Sequence, residues 1–69
     1  MSIKKLFGKK LKEYRIKMDF TQEQLAEIMD VSQNYVANIE CGKANMSLAK
    51  VLELSDFLQV DISVLLNFK

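Results

Sequence analysis

Apolar residues recur at Ile3, Phe7, Leu11, Tyr14 and Met18, three or four positions apart, which predicts an amphipathic helix over about 3–17. Gly8 falls inside it, where glycine costs about 1 kcal/mol relative to alanine, so close packing against a neighbour is expected there. Downstream, one start signal repeats. Thr21, Ser32, Ser47 and Asp61 are good N-cap residues. Each follows an apolar residue (Phe20, Val31, Met46, Val60) and is followed at the fourth helical position by another (Leu25, Val36, Val51, Leu65). This is the hydrophobic-staple arrangement four times over, and Thr21 with Gln24 adds a capping box. The helices expected from these signals span about 22–29, 33–41, 48–58 and 62–67. Gly42 stands where a left-handed residue would end the third helix. Asp19 and Asp30 occupy tight connections whose geometry aspartate tolerates.

Composition narrows the fold to helices. The 69 residues include no proline, two glycines, no tryptophan and no histidine, which argues against a sandwich or barrel and for one all-α domain over 1–69. A chain this short buries only about 60% of its unfolded surface, so association with a second copy would add needed stability. One cysteine, Cys41, excludes an internal disulfide framework. The lack of histidine removes Cys/His zinc clusters and histidine-based acid/base chemistry. With no glycine-rich phosphate loop and no nucleophile beside a base, an enzyme is not expected, and neither is a metal or other cofactor. No apolar run approaches the roughly 18 residues of a membrane span, and Met1 to Lys17 lacks a signal peptide's apolar core. A cytoplasmic setting is the expectation.

The formal charge of +1 conceals an asymmetry. Residues 1–17 carry Lys4, Lys5, Lys9, Lys10, Lys12, Arg15 and Lys17 against Glu13 alone, whereas residues 18–69 carry three basic and eight acidic side chains. The basic first segment suits a polyanion, although charge alone also fits a solvated helix face.

Residues 22–41 read QEQLAEIMDVSQNYVANIEC, two short helices joined by a turn of the length a helix-turn-helix requires. Leu25, Met29, Val31, Val36 and Ile39 are its expected apolar contacts, and Ala26 sits where the helix backbones must approach closely. Gln33, Asn34, Ala37 and Asn38 fall on the outer side of the second of these helices. Side-chain amides placed so are suited to pair with adenine N6 and N7 in a major groove. Tyr35 either packs partly or lies against the DNA backbone or a thymine methyl.

Three runs carry a family resemblance: Phe20-Thr21-Gln22-Glu23-Gln24-Leu25-Ala26, Val31-Ser32-Gln33, and Ile39-Glu40-Cys41-Gly42-Lys43, with the closing Leu48–Leu66 segment behind them. Together they resemble the phage repressor/Cro-type (XRE-like) helix-turn-helix family, from Phe7 to about Leu66, a family that includes restriction-modification controllers and small phage repressors. The resemblance implies a compact five-helix, lambda-repressor-like domain that binds operator DNA as a two-fold dimer to regulate transcription. It implies base reading by Gln33, Asn34 and Asn38, and phosphate contacts by Gln22, Lys43 and Asn45, with Tyr35 also on the backbone. It further implies a structural ion pair between Arg15 and Glu40. Two positions depart from the family pattern: Asp30 replaces the usual glycine of the turn, and Met46 replaces a common proline.

Six of the nine residues from Val60 to Phe68 are apolar, more than a short helix can bury on one small domain. Residues 60–69 are therefore the expected dimerisation segment, with Val64, Leu66 and Phe68 exposed in a monomer. Met18, Met29 and Met46 are expected core filler, Cys41 an incidental thiol, and Glu23 and Glu27 a solvated face. The expected partners are a double-stranded DNA operator and a second copy, with no membrane and no small-molecule effector. A different class, a protein-interaction module such as an antitoxin or anti-repressor on the same fold, is kept open by the acidic balance of residues 18–69.

Overall fold

The computed structural model describes residues 2–67. Five helices follow one another: α1 (Ile3–Lys17), α2 (Gln22–Ile28), α3 (Gln33–Glu40), α4 (Leu48–Leu58) and α5 (Ile62–Leu65). No strand occurs among the described residues. The four anticipated caps all form. The side chains of Thr21, Ser32, Ser47 and Asp61 accept from the backbone N–H of Gln24, Tyr35, Lys50 and Ser63 respectively. At Thr21 the capping box closes reciprocally, with the Gln24 side-chain oxygen accepting from the Thr21 N–H at 2.9 Å. Each cap satisfies an amide that the first helical turn leaves without a partner, an arrangement whose loss typically costs about 1 kcal/mol.

The core gathers Phe7 and Leu11 from α1, Leu25 and Ala26 from α2 with Met29 just beyond it, Val36 and Ile39 from α3, Val51, Leu54 and Leu58 from α4, and Leu65 from α5. Each of the four staple positions at the fourth helical residue is buried, and their partners before the caps are half-buried. Phe20 stacks at a tilt on Phe57, ring centroids 5.3 Å apart, so the entry to α2 leans on α4. Two apolar positions of the α1 stripe depart from expectation: Ile3 is 67% exposed and Met18 is 41% exposed. They lie at the first residue and just past the last residue of α1, where the helix has run beyond the elements that cover its middle.

The connections are tight because their residues take left-handed backbone. Asp19 and Asp30 have φ of 63° and 57°, Gly42 has 76°, and so does Gln59 at 57°. The first three were expected in turns; the last closes α4. Gly8 packs as its sequence position implied: a Cβ there would collide with the Ile39 carbonyl oxygen and lie 2.8 Å from that of Glu40. α1 therefore rests directly on the backbone of α3. From the other side, Lys50 of α4 donates through Nζ to the Met29 carbonyl at 3.0 Å, tying α4 to the end of α2.

Candidate nucleic-acid interface

The two-helix unit α2–α3 is joined by Met29 to Ser32. Asp30 donates its N–H to Glu27 O at 3.3 Å and Val31 donates to Ala26 O at 2.9 Å, closing α2 by wrapping the chain back on its last turn. The buried Ala26 lies beneath this turn, and Leu25, Met29, Val36 and Ile39 seal the inner side. Because that side is fully committed to the core, α3 has one free side to offer. Gln33 and Asn34 are exposed at its start, while Ala37, Asn38 and Tyr35 are half-buried. Tyr35 packs against the core cluster and remains half-buried.

A buried polar clasp fixes where α3 sits. Arg15 of α1 forks onto Glu40 of α3, Nε to Oε2 at 2.7 Å and Nη2 to Oε1 at 3.1 Å. Its remaining Nη1 donates to the Phe20 carbonyl at 2.7 Å. The side chains are 11% and 2% exposed, so this bidentate pair is shielded from solvent in a way that most surface bridges are not. Glu40 Oε1 also accepts from Gln22 Nε2 at 3.1 Å. Gln22 is thus held at the start of α2 by the same carboxylate, with a second amide N–H and its carbonyl oxygen to offer outward. That bond was not legible in the sequence: nothing in the spacing of Gln22 and Glu40, 18 residues apart, announces it.

The other expected site residues divide by place. Gln33 borders a shallow cleft with Gln22, Ile16 and Asp19, where α1 ends and α2 and α3 begin. Lys43 is exposed just past α3, its backbone N–H bound to Asn38 O at 2.9 Å. Asn45 is exposed too, but it stands beside an apolar groove formed with Ile3, Phe7, Met46, Val51 and Leu66. It is separated in character from the amides of α3. Of the expected docking residues, Leu66 is 45% exposed, Val64 is half-buried, and Phe68 lies outside the described residues. Val64 is less open than expected because the short α5 packs against both α4 and α1. Leu48 and Leu52, one turn apart on α4, are a further exposed apolar pair that the cap and staple signals do not single out, 67% and 50% exposed. Their signal was present, since Leu48, Val51, Leu52, Leu54 and Leu58 give α4 more apolar positions than one face holds. Cys41 is exposed, and Glu23 and Glu27 are solvated as expected.

Among the described residues no cluster of His, Cys, Asp or Glu is arranged to hold a metal ion, and no helix is long and apolar enough to cross a membrane. A capped two-helix unit with a free amide-bearing side on its second helix defines a helix-turn-helix protein. Comparison with known proteins agrees: the helix-turn-helix family profile matches residues 11–65. The chain is 37% identical to control protein C.BamHI of Bacillus amyloliquefaciens, over 97% of this chain and 84% of that protein. It is 39% identical to control protein C.MunI of a Mycoplasma species, over 94% and 89% of the two. Its fold superposes on the crystal structure of the restriction-modification controller protein C.AhdI from Aeromonas hydrophila with a TM-score of 0.83 and 32% identity, covering 90% of this chain and 94% of that one. The chain belongs to the helix-turn-helix family of DNA-binding transcriptional regulators, and is a regulator rather than an enzyme.

Proposed function

We propose that this regulator acts as a cytoplasmic homodimer of the controller type, with two copies of α3 entering successive major grooves of a roughly palindromic operator. The observation that carries the reading is the exposed pair Gln33–Asn34 at the start of a helix whose inner side is buried through Val36 and Ile39 and whose last residue is held by the Arg15–Glu40 clasp. Amides presented rigidly can discriminate adenine. Gln33 and Asn34 read bases, and Asn38 contributes one turn further on. Gln22, Tyr35, Lys43 and Asn45 hold phosphates and fix register. One protomer measures 28 Å along its longest axis, less than the roughly 34 Å between half-sites one helical turn apart, so two copies are needed to span them. Leu66 and Val64, with Leu48 and Leu52 of α4, supply an apolar surface for the second copy.

Selection from random duplex DNA should enrich a two-fold site. Gln33→Ala is then expected to cost about 1–3 kcal/mol on that site and to relax preference at one base pair. Equal discrimination between operator and scrambled DNA by parent and variant would remove Gln33 from the reading residues. Leu66→Glu should shift the protein from dimer to monomer in sedimentation at micromolar concentration. An unchanged dimer would place the interface elsewhere.

A further inference from the structure

We propose that Lys5, Lys9 and Lys12 form a second contact line for duplex DNA, a sequence-independent rail for phosphates that lies along α1 beside the recognition helix. The assignment rests on the reading of α3 given above and adds a surface to it.

The three lysines follow one another at spacings of four and three residues, and Ile16 continues the line four residues on. At 100° per residue these positions share one flank of α1. Both ends of that flank are fixed against known landmarks. At one end, the Lys5 Cα would lie 2.9 Å from a Cβ at Gly42, the residue that closes α3. At the other, Ile16 borders the cleft that Gln22 and Gln33 share. The line therefore runs alongside α3 from its end to its start. Gly8 and Arg15, on the same side of α1 but nearer the core, make the contacts with Ile39 and Glu40. Lys5, Lys9 and Lys12 sit one step further round, all exposed.

Scale puts phosphates there. Packed helices lie 8–10 Å apart, as a rule, while the major groove is about 12 Å wide. Gln33, Ala37 and Glu40 share one stripe of α3, and Glu40 is the residue that Arg15 of α1 grips, so α1 lies on the reading flank of α3 and faces the groove's wall, which is the sugar-phosphate backbone. Charge agrees with scale. The nearest buried acid, Glu40, is already neutralised by Arg15, and neither ion pair found among the described residues uses these lysines. Three ammonium groups along one edge outnumber Glu13, the one acidic side chain of α1, and so leave a net positive field next to the proposed reading surface. Such contacts carry affinity and salt dependence and no base preference.

The test compares two charge-matched double variants, K9Q/K12Q on the rail and K10Q/K17Q on the opposite flank of α1. Lys5 is left intact because its stem packs on Gly42. Binding to the selected operator and to a random-sequence duplex is titrated over a range of salt concentrations, with thermal midpoints confirming that the fold is kept. The plot of log affinity against log salt should become shallower by about two units in K9Q/K12Q, equally on both DNAs, while K10Q/K17Q stays close to the parent. Equal flattening in both variants, or none in K9Q/K12Q, would overturn the rail while leaving the reading of α3 in place. A folded parent that binds neither duplex would overturn that reading and the rail with it.

Discussion

Glu40→Ala is expected to cost the domain about 3–5 kcal/mol, the loss typical of leaving one member of a buried pair without its partner. The Arg15 guanidinium would remain shielded among α1, α2 and α3 with only the Phe20 carbonyl to bond. For a chain of this length total stability is about 3–10 kcal/mol, so the variant should be largely unfolded at modest urea concentrations. Circular dichroism in a urea titration measures this directly. A shift below about 1 kcal/mol would mean that the pair behaves as an exposed bridge. Replacing both residues with apolar ones of similar volume should be far milder, because no charge is then stranded. On the phosphate role proposed for Gln22, DNA binding should still weaken in that variant, since Gln22 loses the carboxylate that holds its amide.

Gly8→Ala should destabilise by about 1–3 kcal/mol or more, against the ordinary sign of this substitution in a helix. Propensity alone favours alanine by about 1 kcal/mol. Here the added methyl meets the Ile39 and Glu40 carbonyl oxygens, which are backbone atoms and cannot swing aside as a side chain would. α1 must move off α3, and the clasp between Arg15 and Glu40 is strained in the same step. A thermal scan of the variant decides the sign. A higher midpoint would show that α1 and α3 can separate freely, which the bidentate geometry argues against.

Most of the fold was legible because it is written in local signals. Caps and staples act over five residues, and each of the four produced its hydrogen bond. Gly8 was readable as a close approach because nothing else excuses a glycine in mid-helix. The exposed Gln33 and Asn34 followed from helical periodicity. What escaped depends on contacts between distant segments. The Gln22–Glu40 bond and the Lys50–Met29 tie join residues 18 and 21 apart, and long polar side chains reach in too many directions for spacing to select one. Ile3 and Met18 obeyed the apolar stripe of α1 yet lie open, since periodicity says which side a residue is on and not whether a neighbour extends far enough to cover it.

The left-handed turns carry a consequence for how this chain tolerates change. An aspartate held at positive φ is strained in the native state, which favours glycine. Glycine, however, gives the unfolded chain more freedom to lose, which favours aspartate. At Asp19 and Asp30 these terms oppose each other at about 1 kcal/mol apiece, so exchange between the two residue types is close to neutral. The turn before α3 accordingly keeps its left-handed shape with aspartate in place of glycine at position 30. Gln59 lacks the short polar side chain that eases aspartate into this geometry, and so the end of α4 retains a strain that the two aspartate turns largely escape.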